Sequence, residues 1–273
     1  MKKIFLAITI GTALLLAGCS SGGSKSNASG QVAPPAIAQA GQITVCSDIS
    51  SPPLEYFDAS HNPQGSDIEI GNAIGAKLGL KVIWRPTAFS SIVPTLQAGH
   101  CDAIISQLFI KPARLLIVDM VPYMNSGESI VTTTANPKKI TGLDESLCGL
   151  RVSSVTATTA ATNVADQSSK CVAAGKKAIS LMPFTADTDA LHQLALDRSD
   201  AYATTSETAA YYMIQQPNTY AFAGAQFGQI RAGIAVQKGS ALKDAIEKAF
   251  GEIKADGSYA KILSKYGLSV DAI

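Results

Sequence analysis

The cysteines are the residues of this chain whose type and spacing point most directly to a chemistry. Cys19 ends the block Leu-Ala-Gly-Cys, which follows two lysines and an apolar run. A positive start, an apolar stretch and a small-residue cleavage site are typical of a secretory signal peptide. The thiol of a cysteine at this point can take a diacylglycerol, so the pattern predicts a lipoprotein signal peptide at 1–18 and a lipidated Cys19. The alternative, an uncleaved anchor helix, needs a run of roughly 20 apolar residues, and this run is shorter.

Four further cysteines remain in the predicted mature chain. An even number of cysteines in an exported protein indicates two disulfides, although four cysteines allow three pairings and buried free thiols are the alternative. The chain has no Cys-x-x-Cys, and its three histidines lie far apart, so no metal site is predicted. The four residues are Cys46, Cys101, Cys148 and Cys171.

Enzyme chemistry has no motif in this sequence. Gly-x-Ser-x-Gly, His-Glu-x-x-His and a phosphate-binding loop are all absent, and no cofactor is predicted. Glu55 or Glu207 could act as a general acid only if it were buried in a cleft with a raised pKa. The 22 Lys and Arg balance the 21 Asp and Glu, which argues against a nucleic-acid partner.

The chain after the signal peptide divides into a linker and a body. Residues 19–41 are rich in Ser, Gly, Ala and Pro without an apolar period, which predicts a flexible linker. From residue 42, short β-branched runs alternate with helical patterns, which predicts an α/β fold with largely parallel strands. A helix is expected from Ser66 to Leu78, opened by a capping box of Ser66 and Glu69.

Other elements follow the same periodicities. A second series of strands and helices begins after a turn near residue 137, so the two series indicate two similarly built lobes. Expected strands lie at 43–46, 81–84, 103–106, 151–154, 179–181, 201–204 and 232–236, and expected helices at 89–96, after 159, at 190–196, 242–253 and after 257.

Several blocks resemble one family of exported proteins. They include Ser-Asp-Ile-Ser-Ser-Pro-Pro-Leu-Glu-Tyr (47–56), Gly-Ser-Asp-Ile-Glu-Ile-Gly-Asn-Ala-Ile (65–74), Phe-Ser-Ser-Ile-Val-Pro-Thr-Leu-Gln-Ala-Gly (89–99), Cys-Asp-Ala-Ile-Ile-Ser (101–106), Lys-Pro-Ala-Arg (111–114) and Ser-Asp-Ala-Tyr-Ala (199–203). Their order is similar to that of the family 3 extracellular solute-binding proteins, the amino-acid-binding components of ABC transporters. No single block decides this, but together they cover almost the whole body.

The resemblance implies a two-lobed type II periplasmic binding protein fold with two hinge crossovers. Residues 42–131 and 230–273 would form lobe 1, and residues 132–229 would form lobe 2. The ligand would lie in the cleft, which would close by a hinge movement. A single doubly wound domain is the alternative.

The resemblance assigns Arg114 to the ligand carboxylate, because a planar guanidinium can donate two parallel hydrogen bonds to it. Thr159, at the start of a second-lobe helix, would bind the same anion with the help of the helix dipole. Ser106 would end a strand whose following N–H groups face the cleft. Asp48 would meet a polar or cationic group, and Phe89 would stack on the ligand. Each residue also has an alternative without a ligand. Arg114 could be a surface arginine, Thr159 a helix N-cap, and Ser106 the end of a strand that simply enters a loop. Asp48 could cap a turn, and Phe89 could be a core residue.

Three positions depart from the family pattern. Ser51 replaces an aromatic wall, and Phe109 replaces a hydroxyl, which leaves its backbone N–H as the donor. Thr205 stands where an aspartate usually receives the α-ammonium, and a neutral hydroxyl cannot neutralise a buried cation. The ligand therefore lacks a free α-amine, or Asp48, Glu207 or a water replaces that aspartate.

The resemblance also implies the disulfides and the biology. Cys148 would pair with Cys171 and Cys46 with Cys101, since each pair flanks neighbouring elements. The function would be capture of a small polar carboxylate, an amino acid or its derivative, for an ABC permease, by a monomer anchored through its lipid on the periplasmic or extracytoplasmic face of the cell membrane. The alternatives are a dehydratase-like periplasmic enzyme and a ligand-sensing receptor component.

Overall fold

The computed structural model describes residues 32–273. The predicted signal peptide, Cys19 and the first part of the predicted linker lie outside the described residues. Among the residues described, no helix combines the length and the apolar character that a membrane crossing requires.

Strands and helices alternate along the described chain. Each predicted strand and helix is found, the helix Ser66–Leu78 with its predicted ends and most of the others with changed ends. The strands are β1 (Gln42–Ser47), β2 (Tyr56–Phe57), β3 (Pro63–Gln64), β4 (Lys81–Pro86), β5 (Ala103–Ile104), β6 (Val118–Thr133), β7 (Arg151–Val155), β8 (Ser180–Phe184), β9 (Ala201–Thr205) and β10 (Tyr220–Gln237). The helices are α1 (Ser66–Leu78), α2 (Phe89–Gln97), α3 (Pro112–Leu115), α4 (Thr159–Ala173), α5 (Asp187–Ala195), α6 (Ser206–Gln215), α7 (Leu242–Ala255) and α8 (Ser258–Lys265).

Eight strands form one hydrogen-bonded sheet in the order β4-β1-β5-β10-β6-β9-β7-β8. Strand β1 runs parallel to β4 and β5, and β7 runs parallel to β8 and β9. The long strands β6 and β10 are antiparallel to each other along nearly their whole length, with register shifts between Ala223 and Ile230. These two strands are the crossovers that join the halves of the sheet.

Separate hydrophobic cores define the two lobes. The first lobe packs helices α1, α2, α7 and α8 around residues such as Ile70, Ile104 and Ile246. The second lobe packs around residues such as Val152 and Ala203. Buried residues of β6 change from the first core to the second between residues 124 and 130, and those of β10 change back between residues 227 and 230. The two-lobed α/β architecture is therefore confirmed, while the boundaries at 131/132 and 229/230 stay a prediction.

The start of α1 corrects one prediction. Helix α1 is capped by Gly65 at φ 126°, and Ser66 is its first residue, with a buried hydroxyl that has no hydrogen-bond partner. The N–H groups of Ser66 and Asp67 donate instead to the carbonyls of Pro53 and Leu54. The predicted capping box is therefore wrong, because a neighbouring loop satisfies the helix terminus and a Cβ at residue 65 would lie 2.1 Å from the Leu54 oxygen.

The end of the predicted linker also needs correction. Ile37 is buried in the first core, and the Ala38 N–H donates to Asp102 Oδ1 at 2.7 Å. The other oxygen of Asp102 accepts from the Thr44 N–H at 2.7 Å. The flexible segment predicted to reach residue 41 therefore ends earlier, because an apolar side chain and a carboxylate that bonds two backbone N–H groups fix the chain to the first lobe.

Both disulfides form in the predicted pairing. Cys46 and Cys101 join the end of β1 to the approach of β5, with 5.9 Å between their Cα atoms. Cys148 and Cys171 join the turn before β7 to the last part of α4, with 5.6 Å between their Cα atoms. Each bridge lies inside one lobe, so neither prevents the lobes from moving relative to each other.

Candidate functional site

A cavity of about 490 Å³, its open mouth included, lies between the two lobes. It forms where the carboxyl ends of β1 and β5 face those of β7 and β9, the edge at which open α/β sheets bind ligands. All seven residues predicted to bind ligand line it: Asp48, Phe89, Ser106, Phe109, Arg114, Thr159 and Thr205. The structure thus brings them together, and their contact with a ligand stays a prediction.

Arg114 lies on the short helix α3, which begins with Pro112. Its Nη1 donates to the Phe109 carbonyl at 2.8 Å, and its guanidinium carbon lies 5.8 Å from the centre of the Phe89 ring. These two contacts direct the half-buried guanidinium into the cavity. Burial lowers the pKa of Arg114 from its usual value. Within residues 32–273 the group has no acidic partner within 4.0 Å, so it can take an anion from outside.

The Ser106 hydroxyl makes hydrogen bonds within the first lobe, although the residue lines the cavity. Its hydroxyl accepts from the Asp48 N–H and donates to Glu55 Oε1, both at 2.9 Å. The next N–H, of Gln107, is bonded to Asp67 and the Tyr123 hydroxyl. The expectation of free N–H groups directly after Ser106 is therefore wrong at residue 107, because a buried carboxylate takes that donor.

The N–H of Phe109 is available as a donor on this wall. The bridge between Phe109 and Ala232 uses the Ile110 N–H and the Leu108 carbonyl, so β10 does not bond the Phe109 N–H. The carbonyl of Phe109 already holds Arg114. Phe109 thus holds the Arg114 guanidinium through its carbonyl and offers its own N–H as a donor next to it. The sequence predicts this donor, because Phe109 lacks the hydroxyl that the family usually has at this position.

Thr159 opens helix α4 on the opposite wall. The N-cap is its neighbour Thr158, whose Oγ1 accepts from the Ala161 N–H at 3.1 Å. The alternative that Thr159 is the N-cap is therefore wrong, and its hydroxyl is not used for capping. Thr205 caps α6, where its Oγ1 lies 3.5 Å from the Thr208 N–H. Two helix N-termini from the second lobe thus meet at the cavity.

Four carboxyl groups line the cavity, more than the sequence predicts. Asp48 was expected, but Glu55, Glu128 and Asp187 were not placed there. Burial, and then the charge of Asp187, raises the pKa of Asp48 to about 7. Burial also raises the pKa of Glu128 to about 7 and that of Asp187 above its usual value. One guanidinium among four carboxyls is a setting for a ligand that carries positive as well as negative charge.

Asp187 contacts the first lobe directly. It lies at the start of α5, where its Oδ1 accepts from the hydroxyls of Tyr202 and Thr204. Its Oδ2 accepts from the hydroxyl of Ser51 in the first lobe at 2.5 Å. Both oxygens are therefore used inside the protein, and the Ser51 position that lacks an aromatic ring supplies a bond between the lobes.

A second contact joins the lobes at Gln107, which also lines the cavity. Gln107 Nε2 donates to Ser126 Oγ at 2.8 Å and to Glu207 Oε2 at 2.9 Å. Glu207 lies on α6 and is buried, which raises its pKa to about 7. Bonds between the lobes thus lie at Ser51 and at Gln107, and the structure has its two halves in contact.

Glu55 and Glu207 meet the burial condition for a general acid. Burial first, and then the charge of Asp67, raises the pKa of Glu55 well above its usual value. Each nevertheless accepts hydrogen bonds within the protein, Glu55 Oε1 from Ser106 and Glu207 Oε2 from Gln107 and Ser126. The second oxygen of Glu55 is buried without a hydrogen-bond partner among the described residues. Within residues 32–273, no group of three His, Cys, Asp or Glu side chains is arranged to hold a metal ion.

Residues 43–269 match the family of bacterial extracellular solute-binding proteins, family 3. The chain belongs to this family. It is 29% identical over 237 residues to the arginine-binding protein ArgT of Corynebacterium glutamicum, covering 86% of this chain and 77% of that protein.

Solved structures of amino-acid-binding proteins are also similar to this chain. An ancestral arginine-binding protein bound to glutamine is 35% identical, with a TM-score of 0.75, and the match covers 84% of this chain and 99% of that one. An ancestral amino acid-binding protein described as a precursor of cyclohexadienyl dehydratase is 28% identical, also with a TM-score of 0.75, covering 83% and 95%. These three relatives are amino-acid-binding proteins, and one of them precedes an enzyme.

Proposed function

We propose that this protein is the solute-binding lipoprotein of an ABC transporter and that it captures an amino acid, or a derivative that keeps the carboxylate. The observation that carries the proposal is Arg114, a half-buried guanidinium that lines the interlobe cavity without an acidic partner among residues 32–273. A buried cation without a partner costs several kcal/mol, and a ligand carboxylate would remove that cost. The family and the amino-acid-binding relatives support the same function.

The two walls would hold one carboxylate from both sides. Arg114 and the Phe109 N–H belong to the first lobe, and Thr159 at the N-terminus of α4 belongs to the second. Unpaired N–H groups and the helix dipole favour an anion at that terminus. A ligand that bonds both walls favours the arrangement in which the lobes are together, so binding would close the cleft.

The bonds between the lobes would stabilise the closed state once a ligand is present. These bonds join Ser51 to Asp187 and Gln107 to Glu207. The charge of Asp187 faces Asp48 across the cleft and raises its pKa, so the empty site resists closure electrostatically. A cationic group between these two carboxyls would relieve that repulsion, which favours a ligand with an amine or guanidinium.

The export and anchoring part of the proposal rests on the sequence. The Leu-Ala-Gly-Cys block would place a lipid on Cys19 and hold the body at the extracytoplasmic face of the membrane. There the closed, loaded form would meet the permease. This gives a monomeric carrier with three partners: a small ligand, a permease and, through its lipid, the membrane.

A thermal-shift screen of amino acids, opines and small carboxylates tests the proposed function. At a hundred times its dissociation constant a ligand stabilises the native state by roughly 2.7 kcal/mol, which raises the Tm by about 5–10 °C for a body of this size. We expect an amino acid to give the largest shift, and mass spectrometry to recover it unchanged. A shift with sugars or metal ions alone, or conversion of the bound compound, would contradict the proposal.

A further inference from the structure

Glu128 is a cavity carboxylate that the sequence did not indicate. It lies on β6, at the point where this strand crosses between the lobes, and only 1% of its surface is exposed. In the sheet it is directly opposite Thr205 of β9 on one side and Phe227 of β10 on the other. Side chains of directly paired residues lie on the same face of a sheet, so Glu128 and Thr205 share one wall of the cavity.

The Glu128 carboxylate has an incomplete set of partners. Within residues 32–273, the one hydrogen bond to it is from Asn163 Nδ2, to Oε2 at 2.5 Å. No Lys, Arg or His nitrogen of that part of the chain lies within 4.0 Å of it. Lys111 acts on Glu128 only from a greater distance. A buried carboxylate needs a cationic or donor partner, and the cavity is the side on which one can enter.

The other three cavity carboxyls differ from Glu128 either in lying on first-lobe segments, as Asp48 and Glu55 do, or in having both oxygens hydrogen-bonded, as Asp187 does. Both oxygens of Asp187 accept hydrogen bonds from within the protein. Glu55 Oε1 accepts from Ser106, and Glu55 Oε2 is buried without a hydrogen-bond partner among the described residues, where the charge of Asp67 acts on it. Asp48 accepts from Ser50 at 3.3 Å and from the backbone at Phe89. Glu128 therefore has the largest unused capacity for a cation on the second-lobe side.

The position of Glu128 relative to Thr159 fits the geometry of an amino acid. Its partner Asn163 lies four residues after Thr159 on α4, and residues four apart lie one above the other on a helix face, about 5–6 Å between Cβ atoms. In an α-amino acid the ammonium is attached to the carbon that bears the carboxylate. A carboxylate bound at Arg114 and Thr159 would thus place the α-ammonium within a few ångströms of this wall.

We propose that Glu128 receives the α-ammonium of the ligand, so that the site selects compounds with a free α-amine. This inference depends on the proposed function, because it requires an amino acid in the cavity. It answers the question that the neutral Thr205 raises: the anionic charge is supplied one strand away from Thr205, across the β6–β9 pair. Arg114 would then bind the carboxylate of a zwitterionic ligand, and Glu128 would bind its ammonium.

The test is calorimetric binding of the best amino acid from the screen and of its desamino analogue, which lacks only the α-amine. For the wild type we expect the amino acid to bind at least about 30-fold more tightly. Glu128→Gln keeps the shape and the acceptor for Asn163, so we expect it to weaken the amino acid by about 30-fold or more and the analogue by less than about threefold. Asp166→Asn, an exposed carboxylate of the same helix as Asn163, is the control and should change neither value by more than about twofold.

A rescue variant separates recognition from folding. Adding Thr205→Asp to Glu128→Gln returns a carboxylate to the same wall, and we expect it to recover most of the affinity for the amino acid. If Glu128→Gln is not obtained folded, Glu128→Asp is the substitute, because it keeps the charge on a side chain that is one methylene shorter. We expect it to weaken binding of the amino acid more than binding of the desamino analogue. Equal losses for both compounds, or unchanged affinity in Glu128→Gln, would overturn the proposal for Glu128. A wild type that binds no amino acid would instead overturn the proposed function.

Discussion

Replacing Arg114 by alanine should cost roughly 2 to 5 kcal/mol of binding free energy, a loss of about 30-fold to several thousandfold in affinity. The reason is that the ligand carboxylate would stay in the closed cavity without its cation, and truncating one partner of a buried charged pair leaves the other uncompensated. Isothermal titration calorimetry on the ligand found by thermal shift measures this directly. The fold should persist, since Arg114 makes a single side-chain hydrogen bond within residues 32–273, to Phe109.

Two variants are suitable controls for that experiment. Arg114→Lys keeps the charge but cannot donate two parallel bonds, so it should give an intermediate loss. Arg198→Ala removes an exposed arginine of the second lobe and should leave the affinity unchanged. Unchanged affinity in Arg114→Ala would remove this residue from the site.

Removing the disulfide between Cys46 and Cys101 should lower the free energy of unfolding by about 4 kcal/mol. The bridge closes a loop with a sequence separation of 55 residues, and in the chain-entropy model longer loops lose more freedom in the unfolded state. Both sulfurs lie in the first-lobe core, so alanine is the appropriate replacement. Urea unfolding of the double Cys→Ala variant, followed by circular dichroism, gives the value.

The second disulfide provides the matched comparison. Cys148 and Cys171 have a sequence separation of 23, so their removal should cost about 3.5 kcal/mol, somewhat less than the first pair. Ligand affinity should change little in either variant, because each bridge lies inside one lobe and none of the four cysteines lines the cavity. Unfolding curves that coincide with the wild type would show that neither bridge stabilises the native state.

The sequence predicted the parts of the fold that local periodicity determines. Helices such as α7 carry apolar residues on one face, and Leu242, Ile246 and Ile253 are buried as that pattern indicates. The two long crossover strands were harder to predict from the sequence. Strand β6 is buried at nearly every position because it passes through two cores, so it shows no alternating period, and only the last part of β10 was predicted.

Helix ends were predicted less well because they depend on distant groups. Ser66 has the residue type of a cap, but carbonyls of the loop at 53–54 take the free N–H groups of α1. Thr158 and Thr159 are adjacent residues of the same type, and only the geometry shows which of them caps α4. The linker prediction failed at Ile37 for a related reason, since one apolar residue in a polar and small-residue segment packs into a distant core.

For the site, the resemblance selected seven residues that do line a common cavity, but it omitted several of the charged groups. Glu128 is on a strand with no polar period, and its relation to Thr205 is set by sheet register. Asp187 follows the end of β8, so a carboxylate after a parallel strand was the signal that could have revealed it. Its bond to Ser51 joins residues 136 positions apart, which no local pattern indicates.

The central claim is that one small carboxylate is bound between the lobes by Arg114. A crystal structure of the protein with the ligand from the thermal-shift screen tests it most directly. We predict ligand density in the interlobe cavity, with the carboxylate within hydrogen-bonding distance of the Arg114 guanidinium and of the N-terminus of α4. A ligand bound outside this cavity, or one inside it whose acidic group faces away from Arg114, would contradict the claim.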